Sequence, residues 1–275
     1  RKNNMSILVT NSYVTPLEAR QTIARRYRIV TKAINVEFWN SISETAHSFY
    51  VGSYGRGTAI STSDIDILVE IPNSEYDKFN SSTGNGQSRL LQSIRKSLQV
   101  AYPQSDIRAD GQVVKINFHD GIKFEILPAF QNIDYWGKNQ GYIYPDSNMG
   151  GNWKATNPKN EQEAMKIKNG PTYSNGLLYA TCRHFRYVRD TYFSSYHLSG
   201  IVIDSFVYNA MGNWRYTESG SSSNASMGAY ENILLEYFNN NTIWGLSLNS
   251  PGSNQTVSTT NSITCLEKVI KKIAT

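Results

Sequence analysis

Asp64 and Asp66 stand two residues apart at the head of an apolar run, residues 65–71. Side chains alternate faces along a strand, so carboxylates at i and i+2 project the same way. Two adjacent carboxylates repel unless a cation sits between them. Mg²⁺ suits such a pair, because it takes a couple of carboxylates together with substrate phosphates and water. Alone, Asp-x-Asp favours the reading of two acids on a solvent-facing strand edge. Here the pair has company. Gly52-Ser53 lies upstream, directly after a strand-like run at residues 47–52. Glycine lets the backbone approach phosphate oxygens, and the following amides and the serine hydroxyl can donate to them. Gly57-Thr58 turns the chain back toward the aspartates. A third acid, Glu125, lies between Phe124 and Ile126 and faces opposite to both. Acids from two strands beside a phosphate-binding turn meet the needs of two-metal phosphoryl chemistry, in which one ion activates an attacking hydroxyl and the other steadies a triphosphate.

Several elements must hold these residues. Thr15-Pro16-Leu17-Glu18 has the form of a capping box and predicts a helix with Ile23, Tyr27, Val30, Ile34 and Phe38 as its buried stripe. Arg20, Arg25, Arg26, Arg28 and Lys32 fall largely off that stripe and read as a solvated basic face. Strands are expected at 47–52, 65–71, 107–109, 113–118 and 122–127, the last two joined by the hairpin signal Asp120-Gly121. Residues 75–87 read as a loop, and Leu90, Leu91, Ile94 and Leu98 as an amphipathic helix ended by Pro103. Residues 136–160, rich in Gly, Asn and Pro, read as a crossover. Helices follow at 161–168, 175–192, 196–211, 230–238 and 264–273, with a low-complexity, mobile stretch at 220–226.

The chain has 275 residues, 39% hydrophobic and 18% charged, enough to bury a sizeable core. The expected domains are a catalytic lobe at 1–160 and a helical, nucleotide-binding lobe at 161–275. No apolar run approaches the ~18 residues of a membrane span. No secretory signal is evident, so Cys182 and Cys265 are expected as free thiols in a cytoplasmic protein. A net charge of +5 without a polybasic run suits phosphorylated small molecules, and nucleic-acid binding is not expected.

The order Gly-Ser, Gly-Thr, Ser-Asp-Ile-Asp resembles the nucleotidyltransferase superfamily that includes DNA polymerase β. In detail, SDIDILVEIP and FEILPAF resemble the bacterial cyclic-oligonucleotide synthases, the cyclic GMP-AMP synthase-like and DncV-like enzymes of antiphage signalling. The resemblance covers roughly residues 15–215. It implies an α+β fold with a mixed-sheet N-terminal lobe and a helical C-terminal lobe. It also implies Asp64, Asp66 and Glu125 as ligands of two Mg²⁺ or Mn²⁺ ions, and Gly52 and Ser53 as the phosphate turn. Arg183, in the run LYATCRHFRYV, matches a family arginine that faces the triphosphate, and Arg186 falls where a lysine is usual. Ser195-Tyr196-His197-Leu198 resembles a nucleotide-lobe segment, with Tyr196 either stacking on a base or capping the bundle core. The third acid is more often aspartate, and Ser199 stands where many relatives carry an acid. Implied partners are nucleoside triphosphates (ATP, GTP or others) and an effector protein that senses the product.

Other candidates carry less. His119 beside Asp120 reads as a hairpin-tip residue, and His184 as core or surface. Gly55-Arg56-Gly57 is no Walker loop, because no Gly-Lys-Ser/Thr follows. Two rival readings stay open: transfer to a small molecule or an RNA end, and a catalytically inactive nucleotide-binding member.

Overall fold

Alternation in the first strands and helical spacing in the segments that cover them set up a two-layer unit. The computed structural model describes residues 13–81, 83–217 and 228–274, so the 220–226 stretch lies outside the described residues. Pro16–Gly55 and Asp64–Pro158 make up this unit. Its elements are α1 (Leu17–Trp39), β1 (Ser48–Val51), α2 (Gly52–Gly55), β2 (Ile65–Glu70), α3 (Tyr76–Asn80) and α4 (Gly86–Ala101). The strands β3 (Asp106–Asp110), β4 (Val113–Asn117), β5 (Lys123–Ile133), β6 (Asn139–Asp146) and β7 (Asn152–Thr156) complete it. The sheet runs β1-β2-β5-β4-β3, with β6 added to the far half of β5 and β7 to β6; among the described strands only β2 and β5 pair in parallel. Ile65, Ile67 and Val69 of β2, Val114 and Ile116 of β4, and Phe124 and Ile126 of β5 share one core with Ile23, Val30 and Ile34 of α1 and Leu90, Ile94 and Leu98 of α4. Side chains at the intervening positions, Asp66 and Glu125 among them, therefore lie on the face turned away from the helices.

Four local expectations need correction. α1 begins at Leu17 with Pro16 at its cap and no side-chain cap bond, so the Thr15 capping box does not form; the hydroxyl comes one residue too early. Arg26 is buried, not solvated. Its guanidinium donates to both carboxylate oxygens of Asp120 at 2.9 and 2.7 Å and lies 4.0 Å from the centre of the Phe118 ring. Residues 75–87 are not one loop. α3 occupies 76–80, and Asn85, accepting from the Ser88 amide at 2.8 Å, caps α4 and lets it start at Gly86. Residues 136–160 are no simple crossover, since β6 and β7 run through them and α5 begins before they end. β5 continues to Ile133, and the Asp134 amide bonds the Lys138 carbonyl at 2.9 Å with Gly137 at φ +79°, which closes a hairpin into β6.

The second unit is helical. It contains α5 (Pro158–Asn169, entering at Lys159), α6 (Leu177–Tyr192), α7 (Gly200–Ala210), α8 (Ala229–Asn241), the two-stranded β8 (Leu248–Asn249) and β9 (Thr256–Val257), and α9 (Ile263–Ala274). Leu178, Phe185, Val202, Phe206, Leu234, Leu266 and Ile270 are among its core residues. Residues 56–63 also belong to this unit, so a lobe division at 160/161 does not describe the chain fully. The cause is a buried acid. Asp204 of α7 accepts from Arg56 Nε at 2.7 Å, Thr58 Oγ1 at 2.9 Å, and Arg186 at 2.6 and 3.0 Å. Burial pushes the Asp204 carboxyl up, but the guanidiniums of Arg186 and Arg56 outweigh that and leave it at about 2.

Candidate active site

Asp66 and Glu125 are partners in the parallel β2–β5 register, which sets their backbones directly side by side on the face turned away from the helical core. Asp64 immediately precedes β2 and is exposed; Asp66 and Glu125 are half-buried. Antiparallel pairing of β4 with β5 places Lys115 opposite Glu125, and its ammonium reaches Asp110 at 2.6 Å and Glu125 at 3.6 Å. The hydrogen bond to Asp110, reinforced by the charge of Glu125, raises the Lys115 pKa above its ordinary value. Sequence reasoning missed this lysine. Counting outward from the Asp120-Gly121 turn would have found it, because the Asn117–Lys123 pair leads directly to Lys115–Glu125.

Gly52 opens α2 at φ +59°, in the left-handed region. A Cβ built on it would lie 1.8 Å from Asp66 Oδ2, so the Asp66 carboxylate rests against the bare glycine backbone. Position 52 therefore requires glycine twice, for its conformation and for the room it gives an acid. Ser53 follows within the same turn.

Whether these residues suit a cation is a matter of donor type and placement. All three candidates offer hard carboxylate oxygens, the donor set of Mg²⁺. Strand register brings two of them together, while the exposed Asp64 side chain is unrestrained by packing. As the side chains stand, no three His, Cys, Asp or Glu among the described residues are gathered into a cation cage. Glu125 takes Lys115 as its counter-charge. The set fits a divalent cation in chemistry and register, and the cage would require side-chain rotation.

The helical unit places its candidates differently. Arg183 NH2 donates to the Gly57 carbonyl at 2.8 Å, its guanidinium lies 5.7 Å from the Tyr179 ring, and burial lowers its pKa. Arg186 is a correction. It is 1% exposed and spent on Asp204 and the Gly200 carbonyl, so its charge holds α6 to α7 and is not presented to a ligand. Tyr196 is 44% exposed, with the Lys268 ammonium 4.9 Å from its ring centre, and it does not cap the core. His184 is buried beside the Tyr13 ring, and His119 sits in the β4–β5 turn. Both cysteines are buried free thiols. Among the described residues, no helix is long and apolar enough to cross a membrane.

A mixed sheet carrying two in-register acids beside a glycine-serine turn, joined to a helical unit, defines a polymerase β-like nucleotidyltransferase fold. The chain belongs to the SMODS family, described as a second messenger oligonucleotide or dinucleotide synthetase domain, whose model matches residues 3–169. It is 29% identical over 162 residues to a probable cyclic nucleotide synthase of Bacillus cereus, an alignment taking in 55% of this chain and 47% of that protein. The chain thus spans about half the length of the curated relative it matches. Among solved structures, it resembles the CdnE cyclic dinucleotide synthase of Elizabethkingia meningoseptica with GTP and Apcpp. That match has a TM-score of 0.65 at 14% identity and covers 98% of this chain and 94% of that one. A STING-associated CdnE c-di-GMP synthase from Capnocytophaga granulosa gives a TM-score of 0.63 at 17% identity, covering 92% and 80%. At such identities the likeness to these structures is one of fold.

Proposed function

We propose that the chain is a nucleotidyltransferase that joins nucleoside triphosphates into a cyclic di- or trinucleotide messenger and releases pyrophosphate. The observation that carries this reading is the in-register Asp66–Glu125 pair on the sheet face opposite the helical core, with the Gly52–Ser53 turn against Asp66. Membership of the SMODS family supports the reaction class. Asp64, Asp66 and Glu125 would hold two Mg²⁺ or Mn²⁺ ions, which when bound supply an acidified ribose hydroxyl and neutralise charge on the triphosphate.

The chain's own residues then have defined tasks. Gly52 gives the backbone close approach to a phosphate, and the Ser53 hydroxyl donates to a phosphate oxygen. Lys115 offsets the Glu125 charge until a cation competes for that carboxylate. On the helical unit, Arg183 offers a guanidinium to an anionic group and Tyr196 a ring face to a base. The acceptor hydroxyl gives up its proton to solvent as its oxygen bonds to the α-phosphorus of the donor, the bond from that phosphorus to the α–β bridging oxygen breaks, and pyrophosphate leaves. A second such transfer closes the ring. An effector protein that senses the product would complete an antiphage circuit.

The test is to incubate the protein with all four labelled triphosphates and Mg²⁺ or Mn²⁺ and to map the products. A closed ring resists phosphatase, because it has no terminal phosphate. A phosphatase-sensitive product, or label carried onto RNA or an aminoglycoside, would overturn the cyclic reading in favour of a transferase with another acceptor.

A further inference from the structure

A pocket of about 670 Å³ opens in the helical unit where the end of α5, the connection into α6 and the end of α7 meet. None of the acids, the glycine-serine turn, Arg183 or Tyr196 lines it. Its walls combine two kinds of side chain. Tyr173, Tyr208 and Trp214 supply aromatic surface, and Tyr173 and Ile167 keep 59% and 50% of their surface exposed. Lys168 and Arg215 supply two positive charges, and among the described residues the lining contains no carboxylate.

Those cations are placed unlike their neighbours. Arg56, Arg186 and Arg189 of the same unit each pair with an aspartate. Among the described residues, Lys168 and Arg215 pair with none. Lys168 donates to the Tyr208 carbonyl and lies 4.5 Å from the centre of the Tyr208 ring. Arg215 donates to the Pro171 carbonyl at 2.8 Å and the Thr172 carbonyl at 3.5 Å. Carbonyls and a ring face orient a cation without neutralising it, so an anion entering the pocket would meet two positioned charges that no described carboxylate offsets. Burial lowers the Lys168 pKa, as expected of an ammonium held out of water without a carboxylate. The aromatic walls, in turn, present flat apolar surface that a planar ring system would cover.

We propose that this pocket is a binding site for a small planar aromatic anion, held by its ring between Tyr173 and Trp214 and by its charge on Lys168 and Arg215. The inference does not depend on nucleotidyl transfer. A nucleoside phosphate and an aromatic carboxylate share the required chemistry, and AMP and 1-naphthoate serve as probes of the two sources. Binding to the full chain is measured by Trp fluorescence and by equilibrium dialysis in EDTA. AMP or 1-naphthoate should bind at least about tenfold more tightly than adenosine or inorganic phosphate, since ring and charge act together. Arg215→Gln and Tyr173→Ala alter exposed side chains, so the fold should survive either change. Each should weaken the binding about tenfold, while Asp64→Asn with Asp66→Asn should leave it unchanged. Binding of AMP alone assigns the site to nucleotides, and binding of 1-naphthoate alone assigns it to aromatic carboxylates; both support the class. No binding of either probe overturns the proposal, as would equal binding by inorganic phosphate or affinity untouched by Arg215→Gln and Tyr173→Ala.

Discussion

At the scale of single residues, the site depends on a glycine and an acid that share one space. Gly52→Ala would place a Cβ 1.8 Å from Asp66 Oδ2, on a backbone at φ +59°. The left-handed conformation alone costs a non-glycine residue about 1–2 kcal/mol, a loss the fold can survive. The displaced carboxylate matters more to chemistry, because a misplacement near 1 Å can cost about 100-fold in rate. The variant should therefore melt only a few degrees lower while pyrophosphate release falls by about two orders of magnitude. Equal turnover by Gly52→Ala and the parent would show that the contact has no catalytic meaning. Asp66→Asn keeps the shape and removes the charge. It should abolish pyrophosphate release and leave the melting temperature unchanged or slightly raised in EDTA, because one of two neighbouring like charges is gone. Full activity of this variant would sink the assignment of Asp66 as a cation ligand.

At the scale of elements, α1 is fastened to the β4–β5 hairpin by the paired hydrogen bonds of Arg26 and Asp120, with the guanidinium over Phe118. The Arg26 hydrogen bonds hold the Asp120 carboxyl below the usual aspartate range. A depressed folded-state pKa means stability that is present above the unfolded pKa, about 3.9, and lost as pH falls below it. Arg26→Met should cost about 1–2 kcal/mol at pH 7 and less at pH 3, as read from urea midpoints. An equal loss at both pH values would assign the effect to packing on Phe118 alone. This pair also shows where the sequence stops being legible. Short apolar runs bounded by turn signals made β2 and the start of β5 readable, and with them the placing of Asp66 and Glu125 opposite to their apolar strand neighbours. Helical spacing gave α1 and α4 their stripes. Arg26 looked solvated because its partner stands far along the chain, and local periodicity carries no record of such a pairing. β6 and β7 were hidden for a similar reason: their Gly- and Asn-rich composition resembles loop, and only the edge offered by β5 makes them strands. Arg186 matched a family position by sequence, yet the fold gives its charge to Asp204.

At the scale of the whole molecule, the chain leaves the sheet unit after Gly55, spends residues 56–63 in the helical unit, and returns at Asp64. The excursion therefore lies, in sequence, between the Ser53 turn and the first candidate ligand. Asp204 binds it through Arg56 and Thr58, Thr62 donates to Asp190 at 2.6 Å, and Glu161 lies 3.4 Å from Arg56. Burial raises the Glu161 carboxyl, so Asp204 is the firmer negative charge of the two. Removing one partner of a buried ion pair strands the other, at a cost of about 3–5 kcal/mol. Asp204→Asn strands the Arg186 guanidinium and takes from Arg56 the nearer of its two acids, and should melt well below the parent at pH 7. Hydrogen exchange should quicken at residues 58–63 as well as along α6 and α7. The pH dependence has a fixed sign. With its folded pKa at about 2, against an ordinary aspartate value near 3.9, Asp204 stabilises fully above about pH 4 and loses that contribution as pH falls toward 2. The parent should therefore lose stability across that window, and Asp204→Asn should lose less, so the two melting curves converge in acid. Parallel curves from pH 7 to pH 2, or a variant that melts with the parent at pH 7, would mean that the excursion is held by its apolar contacts and not by this acid.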